Sequence, residues 1–144
     1  MKITRLIIPA LALILLGTIV ALGSCAGTSA IVGPSGEPIA GSIATMEKID
    51  VQGTEQWLVI RGHDREAPVM LFLSGGPGGS ELGRTRDYLA DLEKDFVFVN
   101  WEQPGTGKSY GAMDMQEASY EDFVDHTIAV SEYLKERSEE RRVG

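Results

Sequence analysis

From residue 42 onward the apolar positions change period several times, and each change marks an element. Residues 43–51 alternate loosely, Gln52-Gly53-Thr54 turns the chain, and Gln56-Trp57-Leu58-Val59-Ile60-Arg61 follows. That pattern predicts two strands paired antiparallel. Residues 62–68 are polar and close on Pro68, a loop. Val69-Met70-Leu71-Phe72-Leu73 is apolar at every position, the pattern of a strand covered on both faces. Ser80 is placed to cap a helix whose Leu82, Thr85, Leu89 and Leu92 share one stripe, ended by Lys94-Asp95. Phe96-Val97-Phe98-Val99-Asn100-Trp101 is the next buried strand. A second helix is predicted from Ser119, with Glu121 and Asp122 in its first turn and Lys135 and Arg137 toward its end, signs that suit the helix dipole. Its inward stripe is Phe123, Thr127, Val130 and Leu134. The order hairpin, strand, helix, strand, helix predicts an α/β sheet with right-handed crossovers, whose ligands lie beyond the carboxyl ends of the strands.

The first part of the chain has a different texture. Lys2 and Arg5 precede an uncharged apolar stretch over 6–22, a charged n-region followed by an h-region. The segment 1–25 is therefore expected to address the chain to a membrane, extracytoplasmically. Leu22-Gly23-Ser24-Cys25 resembles a bacterial lipoprotein box, with Cys25 as the lipidated residue; the alternative is an uncleaved anchor with an incidental cysteine. Residues 26–41 are small, Gly- and Pro-bearing and almost uncharged, which predicts a flexible tether. The folded domain is expected over 42–144.

Charge and cysteine content narrow the chemistry. Thirteen Lys and Arg against 21 Asp and Glu leave a net charge of −8, which argues against nucleic acid as a partner. A single cysteine excludes an intramolecular disulfide, and no Cys/His cluster has metal-ligand spacing. Neither a metal nor an organic cofactor is expected.

Both buried strands empty into glycine. Ser74-Gly75-Gly76-Pro77-Gly78-Gly79 follows the first, and Gln103-Pro104-Gly105-Thr106-Gly107-Lys108-Ser109 follows the second. Backbone N–H groups without side chains in the way can approach a substrate oxygen that becomes negative during reaction. The tail of the second loop imitates a phosphate-binding loop, but the required glycine five positions before Gly107 is Glu102, whose carboxylate opposes phosphate. Taken together, the two loops resemble the α/β-hydrolase fold, and within it the proline iminopeptidase branch. The resemblance spans residues 46–137.

That resemblance implies an amino-terminal portion of an α/β-hydrolase sheet, a hairpin and two strand–helix units behind an N-terminal membrane segment. It implies a membrane-tethered serine hydrolase of aminopeptidase type, acting on a small peptide or ester. Backbone N–H groups of Gly75 and Gly76 would contribute to the oxyanion hole, Pro77 would stiffen the loop, and Gly78, Gln103, Gly105 and Gly107 would shape the wall beside it. Three positions depart from the family pattern: Ser74 stands for its histidine, Glu102 for its aspartate and Pro104 for its arginine. Proline removes a charge and a donor together, so the ion pair of the family cannot form there. The Gly-x-Ser-x-Gly elbow that the resemblance requires does not occur, and His63 and His126 are expected as structural residues. The chain is thus expected to be a fragment without its triad, inactive by itself and aggregation-prone. The alternative expectation is a non-catalytic anchored lipoprotein or binding remnant.

Overall fold

The computed structural model describes residues 27–75 and 79–143, with side chains of the last helix described through Ser138. Four strands, β1 (Ile43–Val51), β2 (Thr54–Gly62), β3 (Val69–Phe72) and β4 (Val97–Glu102), form one sheet in the order β1-β2-β4-β3. Helix α1 (Leu82–Tyr88) and a 3-10 turn (Ala90–Lys94) connect β3 to β4, and a second 3-10 stretch (Gly107–Ala112) leads to helix α2 (Tyr120–Val143). β1 pairs β2 antiparallel and β2 pairs β4 antiparallel, while β3 pairs β4 parallel.

The hairpin closes because its register brings Val51 opposite Thr54, leaving a two-residue loop. Gln52 and Gly53 both have positive φ, 53° and 80°, as a type I′ turn requires. Gly53 adopts that conformation freely, and the Asp50 carboxylate accepts its N–H at 3.1 Å.

Alternation then sorts the strands into two faces. Leu58 and Ile60 of β2 and Val97, Val99 and Trp101 of β4 form the core with Val130 and Leu134 of α2. Val69 and Leu71 of β3 join this face from the edge. On the other face Phe72 and Phe98 stack tilted, 5.9 Å apart, near α1. Helix α2 starts where the charge pattern places it: Ser119 Oγ accepts the Asp122 N–H at 3.2 Å, and Asp122 Oδ2 accepts the Ser119 N–H at 2.8 Å. This reciprocal cap satisfies two backbone donors at once. The helix is anchored again by Arg137, whose guanidinium forms a two-pronged pair with Glu47 of β1.

The structure corrects the expected fold class. Instead of the amino-terminal portion of an α/β-hydrolase sheet behind a membrane segment, the described residues form a small mixed sheet with few helices. Two of its three pairings are antiparallel. β3 is not covered on both faces: it lies at the sheet edge and all four of its residues are half-buried. The expected single helix after β3 splits at Leu89 into α1 and the 3-10 turn. The expected stripe faces inward, with Thr85 buried and Leu82, Leu89 and Leu92 half-buried, and Glu93 is buried beside it. No helix among the described residues is long and apolar enough to cross a membrane. The segment 1–25, with Cys25, lies outside the described residues.

From residue 27 on, part of the stretch expected as a tether touches the domain. Ile31 is buried, Val32 bridges Pro38, and Ile39 N–H donates to the Ile31 carbonyl at 2.9 Å. Arg61 of β2 holds this segment, donating to Thr28 Oγ1 at 2.7 Å and to the Ser29 carbonyl at 2.6 Å. Its Nε donates to Glu93 at 2.8 Å, with both side chains 8% exposed. Removing one partner of a buried pair strands the other charge, whereas replacing both by apolar groups is far milder. Glu93→Leu is expected to destabilise the fold by about 3–5 kcal/mol, and the double change Arg61→Met/Glu93→Leu by clearly less. Urea unfolding measures both, and equal losses would contradict the pairing.

Candidate active site

β3 and β4 are parallel neighbours, with Phe72 opposite Asn100, so both glycine-bearing loops leave the same edge of the sheet. The first loop starts with exposed Leu73 and half-buried Ser74, and Gly75 forms a bend. Gly76, Pro77 and Gly78 lie outside the described residues, and Gly79 and Ser80 are exposed. In the second loop Gln103, Pro104, Gly105 and Thr106 are all buried. Thr106 N–H and Oγ1–H both donate to the Gln103 carbonyl, at 3.0 and 2.7 Å, and Ser109 N–H donates to the Thr106 carbonyl at 2.8 Å. The loop is thus tightly wound by its own backbone. Gly105 and Gly107 have φ of 80° and 41°, and a side chain at Gly107 would collide with Glu102.

The donors of this second loop already have an occupant. Glu102, 2% exposed, accepts the Lys108 N–H on Oε2 at 3.0 Å. Lys108 turns its ammonium away, 4.9 Å from the centre of the Trp57 ring. The other carboxylate oxygen accepts the Ser80 hydroxyl at 2.6 Å. Ser80 was expected to cap α1; its hydroxyl serves Glu102 instead, and α1 has no side-chain cap. Nothing in local sequence marks that choice, because the partner is 22 residues away.

Between the loops and α2 lies an open depression of about 360 Å³. Leu73, Ser74, Gln103, Phe123, Thr127 and Ile128 are among the residues that line it. The structure therefore brings Ser74, from the first loop, and Gln103, from the second, into one concave site beside Gly75. Its size lies within the range of small-ligand pockets, and its wall is chiefly apolar with a few polar groups at the sheet edge. Groups of three or more His, Cys, Asp or Glu suited to a metal ion are absent among the described residues.

Neither histidine completes a nucleophilic site here. His63 follows β2, and its backbone N–H donates to the Glu93 carbonyl at 2.7 Å. His126 is only 6% exposed, more buried than expected, with Gln56 Nε2 2.6 Å from its Nδ1. The tautomer follows from the network. Trp101 Nε1–H can only donate, and Gln56 Oε1 accepts it at 2.9 Å. Gln56 therefore presents its NH₂ to His126, Nδ1 accepts, and the proton resides on Nε2. Burial pushes the His126 pKa down from 6.5, against the opposing pull of the Asp122 and Asp125 carboxylates. These contacts join residues 45 and 70 positions apart in sequence, so no local pattern announces them.

The comparisons with known proteins bear on this site. Over 94 residues the chain is 38% identical to the probable aminopeptidase YbaC of Bacillus subtilis (strain 168). The match covers 65% of this chain and 30% of that protein. The chain thus spans less than a third of its curated relative. No family model and no solved structure matches. The expected membership of the α/β-hydrolase fold and its proline iminopeptidase branch is corrected to this: a small mixed sheet partly similar to one probable aminopeptidase.

The lowered His126 pKa carries a sign. A base whose folded pKa lies below its unfolded value contributes stability above the unfolded pKa, and that stability is lost as pH falls through the folded one. Urea midpoints are therefore expected to hold above pH 6.5 and to drop below it. His126→Asn, which keeps an acceptor toward Gln56 but does not titrate, is expected to show a shallower drop. Identical pH slopes for the two proteins would contradict the assignment.

Proposed function

We propose that this chain carries part of an aminopeptidase-type hydrolase, acting on the amino-terminal bond of short peptides. The observation that carries the reading is the 38% identity over 94 residues to a probable aminopeptidase. The meeting of two glycine-bearing loops beside one depression supports it. In this reading the peptide lies in the depression against Leu73, Phe123 and Ile128. The Gly75 N–H donates to the scissile carbonyl oxygen as that oxygen gains negative charge, together with Gly76 from outside the described residues. Gln103, Gly105 and Gly107, with Pro77 and Gly78, keep the wall in shape. A donor fixed in advance lowers the barrier because no reorganisation is needed at the moment of reaction.

A second reading, binding without turnover, is favoured by one observation. The His126 ring is engaged by Gln56, and no hydrogen bond among the described residues joins Ser74 to either histidine.

The two readings separate in the complete polypeptide that contains this sequence, assayed on short peptides with products identified by mass spectrometry. Release of the first residue is expected. Gly75→Pro, which deletes the donating N–H, is expected to lower kcat by about 10²–10³ with KM little changed. Binding of peptide without any release would favour the second reading, and cleavage at internal bonds would contradict the first.

A further inference from the structure

Glu102 is the one residue through which the two loops touch by hydrogen bonds among the described residues. We propose that Glu102 is a positioning residue that couples the two glycine-bearing loops, so that the second loop sets the conformation of the first.

The geometry supplies each part of the coupling. Glu102 is the last residue of β4 and lies opposite Trp57 of β2, so its backbone is held by the sheet. Each carboxyl oxygen accepts from a different loop, Oε1 from the Ser80 hydroxyl and Oε2 from the Lys108 N–H. No ion pair among the described residues includes Glu102. Its burial is offset by these two neutral donors, and losing either leaves a buried oxygen without a partner.

The third part is space. At Gly107 the positive φ and the carboxylate together exclude a side chain. An alanine at 107 therefore displaces the Glu102 carboxylate. The displacement reaches Ser80, on the other loop, only through Glu102. A Gly-rich loop has little side-chain packing to define it, and a hydrogen bond to a fixed buried acceptor supplies that definition. What the loops do in catalysis rests on the aminopeptidase reading. The coupling itself does not.

The test compares wild type, Ser80→Ala, Gly107→Ala and the double variant as full chains, reading backbone amide NMR resonances residue by residue. Gly107→Ala is expected to shift the resonances of Gly79 and Ser80 as well as that of Lys108. Ser80→Ala is expected to shift Lys108, and the double variant to shift it no further than the larger single change. Shifts confined to 105–109 in Gly107→Ala would overturn the proposal. If Gly107→Ala does not fold, Glu102→Gln replaces it: an amide oxygen accepts from one loop while the NH₂ faces a donor. Shifts are then expected at one loop or both, and no change at either would overturn the proposal. In the peptide assay Ser80→Ala and Gly107→Ala are expected to lower kcat by similar factors that do not multiply, with KM held. Coupled shifts without hydrolysis leave the clamp standing and remove the aminopeptidase reading; hydrolysis without coupled shifts does the reverse.

Discussion

The structure depends on β4 being paired along both edges. Its antiparallel partner β2 ties it to the hairpin, and its parallel partner β3 aligns the two glycine-bearing loops. All six residues of β4 are buried, and they serve three different purposes. Val97, Val99 and Trp101 build the core under α2. Phe98 meets Phe72 on the opposite face, and Glu102 ends the strand as the acceptor between the loops. One strand therefore supplies the core, the alignment of the edge and the anchor of the site.

The second loop illustrates how similar backbone shapes take different occupants. Its glycines and wound backbone resemble an anion cradle, but the group that accepts the Lys108 N–H is the chain's own Glu102 carboxyl. That carboxylate takes the Lys108 N–H, while the N–H groups of Gly105, Thr106 and Ser109 donate to carbonyls of the loop itself. It also changes what the glycines are for. Gly107 makes room for Glu102, and the ligand-facing surface shifts to Gln103 and Ser74 in the neighbouring depression.

Elements with a clear period were legible in the sequence. The hairpin turn at Gln52-Gly53, the continuously buried strand β4 and the start of α2 after Ser119 follow from local chemistry: a turn-forming glycine, an unbroken apolar run and acidic residues in the first helical turn. Contacts that cross the sheet were not legible. Ser80 looks like a cap in its own neighbourhood and is taken by a carboxylate from the next strand. His126 reads as a structural helix residue, and its buried contact with Gln56, 70 positions away, has no local signal. The apolar run at β3 reads as doubly covered, yet pairing leaves it at an edge, because strand order is a tertiary property. The family resemblance shared this limit: two loop motifs describe a junction, and the sheet around them is mixed and small.

The parallel pairing of β3 and β4 puts the first and second loops side by side beyond the two strands. Cysteines introduced at Ser74 and Gln103, with Cys25 replaced by serine, test it directly through a short thiol-reactive crosslinker on the dilute full chain. An intramolecular crosslink that peptide mapping assigns to 74 and 103 is expected. Crosslinks formed only between separate chains, or none with both thiols reactive, would contradict it.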